Sequence, residues 1–127
     1  GISGYEVDLI NPHGVSTGVG DAYEARGLAE LFGPSLKDKV LISLKPLLGH
    51  TLGVCGLVET AIGLLVLKRQ WVAEGLAVQP TDAALRLESR HISGHIVLRH
   101  MLKISSGFAG YNGAAIFRAP AVSDSYP

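Results

Sequence analysis

Apolar and polar positions change period several times along this chain, and each change predicts an element. Residues 7–10 are mostly apolar and read as a short strand. Asp21-Ala22-Tyr23-Glu24 opens a helix in which Leu28, Leu31 and Phe32 share one face at helical spacing, and Gly33-Pro34 stops it. Residues 40–44 form a second strand that leads through Lys45-Pro46 into a glycine-rich loop. Residues 52–69 are the most hydrophobic helix; apolar residues run around its whole circumference, which predicts burial rather than an amphipathic face. Gly53, Gly56 and Gly63 each cost about 1 kcal/mol relative to alanine inside a helix, so close packing of backbone on a neighbour is expected there. Residues 71–93 read as irregular, with a turn signal at Pro80-Thr81-Asp82. Residues 96–104 and 114–118 read as closing strands, and residues 120–127 as a flexible tail. The order strand, helix, strand, helix, strand, strand suits a layered α/β domain with a mixed sheet.

Composition narrows the functional classes. At 127 residues, 47% hydrophobic and 17% charged, the chain is one domain with a buried core. Eleven basic residues balance eleven acidic ones, so no overall field draws nucleic acid or an anionic membrane. The longest charge-free apolar run, residues 62–67, is too short for a bilayer. A single cysteine, Cys55, excludes an internal disulfide and suits a reducing compartment. With no secretory leader pattern legible, a cytoplasmic protein is expected.

The candidate chemistry lies in loops. His13 sits in Asn11-Pro12-His13-Gly14-Val15-Ser16-Thr17 and His50 in Leu48-Gly49-His50-Thr51-Leu52-Gly53, each between a predicted strand and a predicted helix. Loops at the ends of parallel strands converge on one crevice, where two imidazoles can stabilise developing negative charge; a histidine beside glycine can also simply close a turn. Glu59 lies in an otherwise apolar helix. An unpaired buried carboxylate costs several kcal/mol, so it must find a cation, take a proton or reach solvent at the helix edge. Lys45 is the partner nearest to hand. Asp21 and Glu24 have the Asp-x-x-Glu spacing of a helix cap. Cys55, inside the apolar helix, reads as a small hydrophobe. His91, His95 and His100 lack an acid or cysteine to complete a metal set, so no metal is expected. The glycines at 14, 18 and 20 match neither a P-loop nor a dinucleotide fingerprint, and no nucleotide is expected.

Three segments in order carry a family likeness. His13-Gly14-Val15-Ser16-Thr17-Gly18-Val19-Gly20-Asp21-Ala22-Tyr23-Glu24 resembles the HGTST-x-x-GD-x-x-E segment of condensing β-ketoacyl synthases. Lys45-x4-His50-Thr51-Leu52-Gly53-Val54-Cys55-Gly56-x2-Glu59 resembles their K-x4-H-x-x-G-x-x-G-x-x-E segment. Ser106-Gly107-Phe108-Ala109-Gly110-Tyr111-Asn112 resembles their FGFGGTN loop. The resemblance implies the C-terminal half of a thiolase-like fold over residues 1–119. A full five-layered protein has two such halves, and the expectation is that an earlier strand and helix, and the N-terminal half with the nucleophilic cysteine, lie outside this sequence.

By that resemblance His13 and His50 hold the thioester carbonyl of malonyl-acyl carrier protein during decarboxylative Claisen condensation with an acyl-cysteine, in fatty acid or polyketide synthesis. Lys45 and Glu59 support the histidines from behind, with Asp21, Glu24 and Asn112 in supporting positions. Thr17 meets the phosphopantetheine arm of the carrier protein, no cofactor is permanently bound, and Phe108 gates the nucleophile. The implied partners are acyl carrier protein, the cysteine-bearing half and, in the intact enzyme, a second copy. Four positions depart from the family: Val15 and Tyr111 stand where it has threonine, Ser106 where it has phenylalanine, and Ala109 where glycine gives the backbone freedom. This chain alone is not expected to condense anything. The competing reading is a non-catalytic ketosynthase-like subunit or fragment serving as an interaction module. A thiolase fits less well, because its final loop supplies a Cys-Gly pair and here the loop reads Phe-Ala-Gly-Tyr-Asn.

Overall fold

In a computed structural model, which describes residues 1–77, 85 and 87–120, the chain is built on a mixed four-stranded sheet. Strand β1 (Val7–Asn11) lies at its centre, with β2 (Val40–Leu41) on one side and β5 (His100–Ser106) on the other, both parallel to it. Strand β6 (Asn112–Arg118) closes the sheet antiparallel to β5, in register from His100↔Arg118 to Ser106↔Asn112. The pairing bears out the mixed sheet. Parallel neighbours need crossovers, and these are made by helix α1 (Gly18–Phe32), between β1 and β2, and helix α3 (Cys55–Arg69), between β2 and β5.

At β1 the sheet is covered on both faces, which explains why this strand reads as an apolar run without clean alternation. Leu9 and Met101 pack in one core with Val66 and Leu67 of α3; Ile10 and Leu102 pack in another with Leu28 and Phe32 of α1. Val7 belongs with Ile10 rather than with Leu9. The pairing with β5 shifts register between Val7 and Leu9, and such an irregularity reverses which face a side chain takes.

Several boundaries differ from the sequence reading. Helix α1 begins at Gly18, three residues before Asp21, and a 3-10 turn over Gly33–Asp38 follows it. Leu31 is 62% exposed instead of sharing the core with Leu28 and Phe32. Strand β2 ends at Leu41, after which Ile42 bridges Ala77. Lys45–Leu48 forms a short helix, α2, where a loop is expected; Pro46 in its first turn needs no donor. Trp71–Val72, at the start of the stretch 71–93 that reads as irregular, pairs as strand β3 with Gly94–His95, strand β4, just beyond its end. The turn signal at 80–82 and the tail from 121 lie outside the described residues.

Helix α3 confirms one expectation and corrects another. A Cβ on Gly63 would stand 2.4 Å from the Met101 sulfur, and one on Gly56 would stand 3.0 Å from Ser105 Oγ, so both glycines admit β5 to close approach. Gly53 precedes the helix in a 3-10 turn and meets nothing within 4 Å. The helix is not buried all round. Cys55, Glu59, Gly63, Val66 and Leu67 face the sheet, while Leu57 and Leu65 are 71% and 53% exposed. Strand β6 is exposed along most of its length.

Candidate active site

The loops after β1 and β2 meet at one end of the sheet. There the rings of His13 and His50 make an edge-to-face contact, with centroids 5.6 Å apart and planes at 78°. The His50 Nδ1 accepts the backbone N–H of Leu52 at 3.2 Å. With Nδ1 accepting, a neutral His50 ring carries its proton on Nε2.

The His13 loop is held by charge from two sides. Glu24 reaches back from α1 and accepts the amides of His13 and Gly14 at 2.6 and 2.8 Å. Asp21 accepts the amide of Ser16 at 3.1 Å. These acids therefore brace the loop and do not cap the helix; the cap position belongs to Thr17, whose side chain makes no capping bond. On the other side Lys45 Nζ donates to the carbonyl of His13.

Behind the loop Glu59 binds two lysines. Lys45 meets its Oε1 at 2.7 Å and Lys103, on β5, meets its Oε2 at 2.8 Å. The ion pair with Lys45 answers the expectation for a carboxylate in an apolar helix; Glu59 is 3% exposed. Burial works to raise its pKa, but the hydrogen bonds and charges of Lys103 and Lys45 outweigh burial and hold it below the carboxylate range. Lys103 is the residue that the sequence reading misses. Its ammonium also lies 3.2 Å from the Pro12 carbonyl and 2.6 Å from that of Ile104. The signal that could have found it is a lysine inside the apolar strand run His-Met-Leu-Lys-Ile.

His13 sits below the ordinary histidine range. Partial burial disfavours its charged form first, and the positive charge of Lys45 adds to this more than Glu24 offsets it. The result is an imidazole kept neutral, able to donate one N–H toward an oxyanion.

The three motif loops share a backbone trait. Four non-glycine residues among those described have positive φ, and three of them are Ser16, Leu52 and Ala109, one in each loop. Such conformations cost of order 1–3 kcal/mol and concentrate at functional sites. Ala109 holds φ 59°, the left-handed region that glycine enters freely. His13, Ser106 and Asn112 line a groove of about 540 Å³ together with Leu28, Leu102 and Ile104. Asn112 also donates to the Gly110 carbonyl at 3.2 Å, which steadies the third loop. Thr17 is exposed at the start of α1, and Phe108 is 92% exposed. Cys55 is buried as the first residue of α3. His100 is buried on the Glu6 carbonyl at 3.0 Å, and His91 and His95 are exposed.

Known proteins resemble this chain in sequence and in fold. Residues 1–79 match the family described as beta-ketoacyl synthase, C-terminal domain. The 3-oxoacyl-(acyl-carrier-protein) synthase 2 of Vibrio harveyi is 32% identical over 119 residues, covering 92% of this chain and 29% of that protein. A beta-ketoacyl synthase from Burkholderia phymatum superposes with a TM-score of 0.81 at 30% identity, over 94% of this chain and 29% of that one. A ketosynthase solved with its type II PKS acyl-carrier protein and bound to the hexaketide superposes with a TM-score of 0.83 at 29% identity, over 94% of this chain and 30% of that chain. The chain thus spans under a third of the length of each of these proteins.

Proposed function

The chain belongs to the beta-ketoacyl synthase C-terminal domain family, and on that premise we propose that it supplies the two-histidine part of a condensing site for malonyl-acyl carrier protein. The observation that carries this reading is the ring contact of His13 and His50 at 5.6 Å, with His13 gripped by Glu24 and Lys45. In the proposed step the two imidazole N–H groups donate to the thioester carbonyl oxygen. The bond from Cα to the carboxylate breaks, carbon dioxide leaves, and its electron pair stays on Cα as the enolate that the histidines stabilise. That carbon then attacks the carbonyl of an acyl-cysteine, and the C–S bond breaks to release the cysteine thiolate. The cysteine is supplied from outside this chain, since Cys55 is buried in α3.

Thr17, exposed beside the His13 loop, is the proposed contact for the phosphopantetheine arm, and Phe108 the proposed gate. Val15, which lines the groove, offers this arm no hydroxyl. The exposed apolar face of α3, with Leu57 and Leu65, suits packing on the cysteine-bearing half. Among the described residues no helix is long and apolar enough to cross a membrane, and a cytoplasmic, dimeric enzyme is the proposed setting.

The test is condensation by the complete protein, this chain with its cysteine-bearing half on one polypeptide or two. It should form a β-ketoacyl product from malonyl-acyl carrier protein and an acyl thioester, and His13→Ala and His50→Ala should each abolish that product. Product from both variants at the parent rate would remove the histidines from the mechanism. If the parent forms no product, the interaction-module reading takes over.

A further inference from the structure

Lys103 is buried, 4% exposed, in a strand whose neighbours Met101 and Leu102 are core residues. Burying an ammonium is uphill by several kcal/mol, so its worth lies in what its head reaches. Lys45 alone could balance the charge of Glu59. The second ammonium instead extends the grip on the backbone. Lys103 approaches the carbonyls of Asn11 and Pro12 at 3.5 and 3.2 Å, and Lys45 takes the carbonyl of His13. Glu24 takes the next two amides, those of His13 and Gly14. Three successive carbonyls therefore face lysines, and the amide N–H groups bonded to the last two of them face a carboxylate.

We propose that Lys103 is a positioning residue for His13: from β5 it fixes the end of β1 and the second oxygen of Glu59, and so sets where the imidazole is delivered. The proposal rests on the condensing role of His13 for its functional meaning, though not for its geometry. It also explains why two lysines meet one carboxylate at the site.

Titration of the His13 ring in the full chain, followed by residue-resolved NMR, separates positioning from mere support of the fold. The groups that bear on this ring are Lys45 from α2, Glu24 from α1, His50, and Lys103 itself, with Glu59 of α3 between the lysines. Lys103→Met removes one cation and leaves Glu59 a single partner. Losing this cation favours the imidazolium, so the His13 midpoint should rise. Lys103→Arg keeps the charge and should return the midpoint to the parent value. An unmoved His13 midpoint in folded Lys103→Met would overturn the proposal. Where that variant does not fold, Glu59→Gln/Lys103→Met compared with Glu59→Gln decides on the same readout, because no buried carboxylate is then short of a partner.

In the complete protein, Lys103→Met should lower kcat for carbon dioxide release with KM for malonyl-acyl carrier protein unchanged, and Lys103→Arg should restore it. An unchanged kcat would also overturn the proposal. A raised midpoint in a protein whose parent form releases no carbon dioxide would leave the placement of His13 standing and count against the condensing reading instead.

Discussion

The carboxylate of Glu24 accepts the backbone amide of His13 at 2.6 Å, across eleven residues of loop and helix. This bond fixes the main chain of the residue whose side chain faces His50. A hydrogen bond to a charged partner contributes about 1.5–3 kcal/mol, and Glu24 makes two of them. Glu24→Gln should therefore slow carbon dioxide release by about ten- to a hundredfold in the complete protein. Asp21→Asn, which touches a single exposed amide, should cost less. Steady-state kinetics of the two variants side by side check the ranking, and equal rates would contradict it.

Glu59 should dominate the acid sensitivity of this end of the fold. Its folded pKa lies below the unfolded value of 4.5, so its contribution is fully present above 4.5 and is lost as pH falls through the lower folded value. Glu59→Leu leaves two buried ammoniums unpaired and should destabilise the chain by about 3–5 kcal/mol near neutrality. The gap between parent and variant in urea unfolding should narrow as pH falls. A gap independent of pH would mean that the carboxylate is not the group at work.

His13 should titrate below 6.5, the ordinary value from which burial and the charge of Lys45 depress it. With the folded pKa lowered, this histidine adds stability that is complete above 6.5 and declines as pH falls toward the folded value. NMR titration of the ring reports the midpoint directly. A midpoint above 6.5 would show that Glu24 outweighs burial and the lysines.

Close packing of α3 on β5 predicts opposite outcomes at two glycines. Gly63→Val drives its side chain into buried Met101 and should destabilise by about 1–3 kcal/mol. Gly53→Ala meets no neighbour within 4 Å and should be neutral or slightly stabilising. Thermal unfolding of the pair checks whether the close approach seen at Gly63 exists in solution.

The frame of the fold is legible because burial on both faces leaves strong marks, such as Leu9 and Ile10 side by side in one strand. The Lys45–Glu59 pair is legible for a different reason: a carboxylate in an apolar helix demands a cation, and a lysine stands in the loop before it. Lys103 is not legible in this way. One lysine in a strand fits a solvent-facing position equally well, and only the placement of β5 beside β1 turns it toward Glu59. The start of α1 is hidden by Gly18 and Gly20, poor helix formers that the structure nonetheless places in the first turn. Apolar content also cannot say what surface a residue will meet. Leu31 and Leu57 have core-like side chains, yet this chain leaves both exposed.

Release of carbon dioxide from malonyl-acyl carrier protein with no acyl donor present isolates the step assigned to the histidines, and it is the measurement that bears most directly on the whole account. The complete protein should release it, and His13→Ala and His50→Ala should each reduce the rate to background while the fold persists. Undiminished release from both variants would contradict the account.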